Sequence, residues 1–191
     1  MKIGVLALQG DVREHFRALD AAGATPVLVK RPDQVAEVDA LVVPGGESTT
    51  IGKLIDRFGL IDPIVERARS GMSIYGTCAG MILLARDIAG EHRAPLRFGL
   101  MDIAVRRNAY GRQVDSFEAD LEVAGLTEPF RAVFIRAPSV EATTEDVEVL
   151  ATYEGRPVLV GQGPHMASSF HPEMTGDPRI HEMFVGKVEA A

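Results

Sequence analysis

Ile3-Gly4-Val5-Leu6-Ala7-Leu8-Gln9-Gly10 begins with a nearly unbroken apolar run and ends on a polar residue and a glycine. A short run without period-two alternation suits a strand of a parallel sheet covered on both faces. Asp11, with Glu14 three residues on, has the form of a capping box. Val12, Phe16, Leu19 and Ala22 then share one helical face, and Gly23 stops the helix. Residues 26–30 read as the next strand, 33–38 as a short helical turn, and 40–44 as a third strand running into Gly45-Gly46. This β-α-β-α-β rhythm is the signature of a doubly wound parallel sheet. It continues through helices at 51–58 and 61–70, a fourth strand at 72–75 and an apolar stretch at 81–88 that reads as a buried helix. After Gly90 the texture changes to strand-like segments at 101–107, 117–123, 132–137, 147–153 and 157–162, with little helix between them. They predict an antiparallel or mixed extension of the sheet. A last strand at 167–170 and a helix at 178–188, capped by Asp177, close an α/β fold over a mostly parallel sheet. No repeat or linker interrupts it, so residues 1–191 are expected to form a single domain.

Composition narrows the function classes. A chain of 191 residues and 20.6 kDa should expose roughly 9,000 Å² when folded, against about 30,000 Å² unfolded. That burial needs no covalent staple. The single cysteine excludes an intramolecular disulfide and a multi-cysteine metal site. Twenty Lys and Arg against 27 Asp and Glu give a net charge of −7, whereas a phosphate-backbone binder presents a basic face. Nucleic acid is therefore not an expected partner. No apolar run approaches the ~18 residues of a membrane span, and residues 3–8 are too short for a secretory signal. A soluble cytoplasmic protein is expected.

The strongest chemical signal is Gly76-Thr77-Cys78-Ala79-Gly80, set between a strand and a helix. It has the form of a nucleophile elbow with Cys in place of Ser. The glycines are needed because side chains two residues either way would collide in so tight a turn. The following helix aims its N-terminal N–H groups at the sulfur and favours its anionic form. A thiolate also needs a base and an orienter. His171-Pro172-Glu173 follows the last strand, and in an extended segment His171 and Glu173 fall on one side, completing a Cys-His-Glu triad. The remaining histidines, His15, His92, His165 and His181, lack such company and are expected at the surface or half-buried. No metal site is expected. Pro44-Gly45-Gly46-Glu47-Ser48-Thr49-Thr50 ends the third strand, where doubly wound sheets place ligands. It fails the phosphate-loop pattern, since five residues separate Gly46 from Gly52 and Lys53 is followed by Leu54. Its better use is a Gly46 N–H turned toward a developing oxyanion, partnered by the Ala79 N–H.

Together these segments resemble the class I glutamine amidotransferase family. More narrowly, the chain is similar to the branch whose glutaminases serve pyridoxal 5′-phosphate synthases. The narrower likeness rests on Arg107-Asn108, Gly111-Arg112-Gln113-Val114-Asp115-Ser116-Phe117 and Phe134-Ile135-Arg136-Ala137-Pro138, beside residues 4–10, 44–49, 76–80 and 169–173. Residues 91–97 and 139–146 match less clearly and carry no assigned role. The resemblance implies that Cys78 is the nucleophile, that His171 and Glu173 complete the triad, and that Gly46, Glu47, Ser48, Arg107, Ile135 and Arg136 line an L-glutamine site. Residue chemistry is compatible: Glu47 suits the ammonium of the amino acid, and the arginines suit its carboxylate.

The expected reaction is hydrolysis of L-glutamine to L-glutamate and ammonia through a glutamyl thioester, without metal or organic cofactor. By the resemblance, ammonia passes to a separate pyridoxal 5′-phosphate synthase subunit in a hetero-oligomer. Gln9 and Gly10, on the sheet edge that carries Cys78, are expected to form a turn that moves when the partner docks. Two rival readings are a peptidase or deglycase with a similar elbow, and a non-catalytic scaffold. The distant His-x-Glu pair speaks against the first, and the complete triad set against the second.

Overall fold

The computed structural model describes residues 1–90, 96–107 and 116–191. The chain runs β1 (Lys2–Leu6), α1 (Val12–Ala21), β2 (Thr25–Val29), α2 (Pro32–Val35), β3 (Ala40–Val43), α3 (Ser48–Arg57), α4 (Ile61–Arg69), β4 (Ser73–Thr77) and α5 (Ala79–Leu84). It continues through β5 (Ala85–Ile88), β6 (Met101–Arg106), β7 (Ser116–Leu121), β8 (Phe130–Ile135), β9 (Ser139–Thr143), β10 (Glu148–Tyr153), β11 (Arg156–Gln162), β12 (His165–Ser168), a 3₁₀ turn (Pro172–Met174) and α6 (Arg179–Glu189).

Among the described residues, a seven-stranded sheet has the order β10-β11-β12-β4-β3-β1-β2. The pairs from β12 through β2 are parallel, and β10, β11 and β12 extend the sheet antiparallel. The central strands are apolar and buried on both faces, and alternate residues feed two cores. Leu41, Val43 and Ile74 pack with α3, α4 and α5, whereas Ala40, Val42 and Tyr75 pack with α1 and α6. This is the doubly wound arrangement the sequence predicts.

The order has one feature that decides where a ligand can sit. From β1 the chain steps outward to β2, then returns to the far side of β1 for β3. The C-terminal ends of β1 and β3 therefore flank the crevice at which open α/β sheets bind ligands.

The structure departs from expectation in the second half. The apolar stretch at 81–88 is not one helix: α5 stops at Leu84, Ala85 is extended, and β5 pairs with β6. Every residue from Ala79 to Leu84 is buried, so the run carries no period that separates helix from strand. The predicted sheet extension is real only for β10, β11 and β12. β6 joins β5 and β9 in a separate three-stranded sheet, and β7 pairs with β8. β9 gave no sequence signal because its outer half, Glu141 to Thr143, is exposed and polar in texture. His92, Asn108 and Gly111-Arg112-Gln113-Val114-Asp115 lie outside the described residues. No helix among the described residues is long and apolar enough to cross a membrane.

Candidate active site

Cys78 sits at the apex between β4 and α5 with φ 47° and ψ −100°. That is left-handed backbone, costly for any residue with a Cβ. The turn closes so tightly that a Cβ on Gly76 would lie 2.5 Å from the Gly80 carbonyl carbon, and one on Gly80 would lie 2.1 Å from the Val43 oxygen. Both flanking glycines are thus required sterically, as the elbow pattern implies. The Cys78 N–H donates to the Ser168 oxygen at 2.8 Å, tying the elbow to β12. Sγ reaches to within 3.8 Å of the Ile135 carbonyl, and the next residue, Arg136, is itself left-handed at φ 43°.

His171 and Glu173 meet, though not in the extended segment expected. β12 ends at Ser168, and Pro172 begins a 3₁₀ turn, a position where its missing N–H costs nothing. Across this turn His171 Nδ1 and Glu173 Oε1 stand 2.8 Å apart, with both side chains buried. Sequence reading missed a second carboxylate: Asp11 Oδ2 lies 3.3 Å from the same Nδ1. Asp11 makes no side-chain cap to α1, so the predicted capping box does not form. Burial opposes a charge on His171, but hydrogen bonds with Asp11, Cys78 and Glu173 overcome it and raise its pKa far above that of a free imidazole. Burial raises the Glu173 pKa above the usual carboxylate range, and the facing His171 offsets this only in part. Asp11, His171 and Glu173 offer donor atoms within 4.8 Å of one another, a spacing that could also hold a metal ion. The shared imidazole N–H accounts for it.

The turn after β3 packs against the turn after β1. Gly46, at φ 148°, lies under the Gln9 side chain, and Gln9 Oε1 accepts the Glu47 N–H at 3.0 Å. Gly45 faces His171: a Cβ there would be 2.3 Å from the ring Cε1. Glu47 caps α3, accepting from Thr49 N at 3.0 Å and from Thr50 N and Oγ1, each at 2.7 Å. Burial works against its charge, but these donors prevail and place its pKa at about 2. Arg107 Nη2 lies 3.6 Å from Glu47 Oε1 and donates to Thr49 Oγ1 at 3.4 Å.

These parts enclose a cavity of about 340 Å³. Gln9, Gly46, Glu47, Ser48, Cys78, Ala79, Arg107, Ile135, Arg136 and His171 all line it. Asp11, read from the sequence only as a helix cap, lines it too, as do Ile82 and Met174, which have no role assigned from the sequence. Glu173 stands one bond behind His171, and Gly10 lies under Gly45, where a Cβ would come 1.8 Å from the carbonyl oxygen.

The other described histidines are not at the surface. His15 and His181 are fully buried and His165 is 7% exposed. His15 lies three residues after Val12 and four before the buried Leu19, so the helix period that sets the apolar face of α1 also points to it.

A model of the SNO glutamine amidotransferase family matches residues 5–190. The pyridoxal 5′-phosphate synthase subunit PdxT of Mycobacteroides abscessus is 55% identical over 188 residues, covering 98% of this chain and 97% of its own. The protein of the same name from Frankia casuarinae is 56% identical over 191 residues, covering 100% and 96%. A crystal structure of a glutamine amidotransferase superposes with a TM-score of 0.93 at 50% identity, over 98% of both chains. The structure of PurLQS from Thermotoga maritima, 20% identical with a TM-score of 0.66, shares the fold over 99% of this chain and 95% of that one. With a family match that spans nearly its whole length, the chain belongs to the SNO glutamine amidotransferase family.

Proposed function

We propose that this chain is a glutaminase that hydrolyses L-glutamine and delivers ammonia to a separate synthase subunit making pyridoxal 5′-phosphate. The observation that carries the reading is the placement of Cys78 on a strained elbow at the floor of a cavity that His171 also lines. The family's name supports glutamine as substrate, and the relatives' names support a place in a pyridoxal 5′-phosphate synthase.

Cys78 Sγ attacks the side-chain amide carbon of glutamine. The Gly46 and Ala79 N–H groups receive the oxyanion. The carbon–nitrogen bond breaks, and His171 gives the departing ammonia its proton. Water, activated by His171, then adds to the thioester carbon, and the carbon–sulfur bond breaks to release glutamate. Glu173 holds the imidazole, with Asp11 sharing its N–H. Ser48, Ile135 and the two arginines, Arg107 and Arg136, surround the amino-acid head. Glu47 spends part of its acceptor capacity on capping α3, so its ammonium-binding role is shared with that cap. The Gln9-Gly10 turn gates the Gly46 N–H when the synthase docks, because Gln9 holds the adjoining Glu47 N–H.

The test is glutamate release from L-glutamine, measured with and without the synthase subunit. Wild type should be slow alone and faster with the partner, and Cys78→Ala should be inactive in both. Normal glutamate release by Cys78→Ala would overturn the mechanism.

A further inference from the structure

Beside the triad, His15 on α1 and His181 on α6 are sealed in the core, both fully inaccessible to solvent. His15 Nδ1 lies 2.9 Å from His181 Nε2, and His15 Nε2 lies 3.0 Å from Thr77 Oγ1. The same Nε2 comes within 3.4 Å of Glu173 Oε2. That carboxylate oxygen is buried and has no hydrogen-bond partner among the described residues. One ring nitrogen thus faces both the residue before the nucleophile and the free oxygen of the carboxylate that orients His171.

The tautomer follows from which groups would be left unpaired. Burial keeps His15 neutral, with the neighbouring His181 and His171 adding to the effect, and burial alone lowers His181 to about 4. Each ring then carries one proton. With the His15 proton on Nε2, the N–H points at Thr77 Oγ1 and toward Glu173, and Nδ1 accepts from His181. His181 Nδ1, which has no partner, is then a bare acceptor. The opposite tautomer sets a lone pair against the Glu173 carboxylate and buries an orphaned N–H on His181. An orphaned donor is the rarer and costlier outcome. The titratable groups facing the pair are Tyr75 from β4 and Glu173 with His171 from the turn after β12.

We infer that His15 is a positioning residue of the glutaminase site, its Nε2–H bonded to Thr77 and lying against Glu173, where its dipole favours the ionised carboxylate aimed at His171. The inference rests on the glutaminase reading above and adds to it a residue that neither lines the cavity nor touches substrate. Its function is to set an N–H dipole 3.4 Å from the one triad oxygen that has no hydrogen-bond partner among the described residues, an electrostatic support rather than a hydrogen bond.

The two ring nitrogens can be tested separately. His15→Gln places an amide donor near the Nε2 position, and His15→Asn places one near Nδ1. Assayed with the synthase subunit, His15→Asn should lose about tenfold in kcat at unchanged KM, the pattern of a lost transition-state interaction. His15→Gln should stay within about threefold of wild type. Alkylation of Cys78 by iodoacetamide supplies a second readout. In His15→Asn its acid limb should move to higher pH, because a carboxylate without its donor protonates more easily. Nitrogen-15 NMR of the unmutated chain should show His15 as the neutral Nε2–H tautomer, a measurement independent of whether any variant folds. A neutral Nδ1–H tautomer would overturn the inference. So would His15→Asn with normal kcat and an unmoved acid limb, or equal losses in both variants with that limb unmoved. Failure of wild type itself to release glutamate would instead remove the glutaminase reading.

Discussion

The carbonyl oxygen of Gly45 occupies the space in which a side chain on Gly10 would begin: a Cβ there would stand 1.8 Å from it. The turns after β1 and β3 are therefore in backbone contact, and a displacement of one is felt by the other.

Gly10→Ala tests that contact. Gly10 has φ 99°, so the added methyl is strained as well as obstructed. The variant should lose about 1–3 kcal/mol of stability. It should also lose most of the stimulation by the synthase subunit, while iodoacetamide still reaches Cys78. Full stimulation in a folded Gly10→Ala protein would show that this turn takes no part in gating.

His171→Asn removes the group proposed to give and take the proton, and turnover should fall about 10²–10⁴-fold. Glu173→Gln keeps the imidazole, and Asp11 still faces Nδ1 at 3.3 Å, so its loss should be smaller. The double variant Asp11→Asn, Glu173→Gln should then fall below the product of the single losses, because each carboxylate covers for the other. Steady-state kinetics of the four proteins decides this, and simple multiplicativity would mean that Asp11 is a bystander.

Arg107→Ala should raise KM for glutamine and leave Cys78 alkylation at its normal rate, since iodoacetamide presents no amino-acid carboxylate. Glu47→Ala should differ by also lowering stability, by about 1 kcal/mol, through loss of the α3 cap. Thermal melts beside glutamine titrations separate the two effects. Arg107→Ala should leave the melt unmoved.

Acid should unfold the chain through its buried histidines. His165 and His181 titrate at about 4 in the fold against 6.5 for an unperturbed histidine. The unfolded chain therefore binds more protons between these values. Their contribution is fully present above 6.5 and is lost as pH falls toward 4. His171 has the opposite sign, its raised pKa giving stability that is complete below 6.5 and lost only as pH rises through the folded value. Urea midpoints should fall across the acid window, and His165→Gln should flatten the decline. A midpoint independent of pH in that window would contradict the assignment.

What the sequence disclosed depended on range. The elbow was legible because its cause is local: Gly76 and Gly80 approach each other within five residues, so the glycine spacing records the turn directly. The order β1-α1-β2 followed from apolar runs and their breaks. Asp11 was legible as a helix-capping residue but not as a partner of His171, 160 positions away in sequence. His15 and His181 were misplaced although a local signal was there, since His15 precedes the buried Leu19 by four residues and His181 precedes Phe184 and Val185 by three and four. What nothing local records is that the two ring nitrogens of His15 find Thr77 and another ring. The β5 segment was missed because it continues the wholly buried α5 run without a break, and its own Arg86 and Asp87, exposed side by side, show no strand alternation.

The chain has a single sulfhydryl, and it lies on the cavity floor, 7% exposed. Any reagent that titrates thiols in this protein therefore counts vacant copies of the proposed active site, without background from other positions. The same fact sets its fate under peroxide. A sulfenic acid on Cys78 has no second cysteine in the chain to resolve it as a disulfide, so recovery depends on a small external thiol arriving before further oxidation makes the damage permanent. The cavity proposed to admit glutamine is also the path by which that reductant must enter.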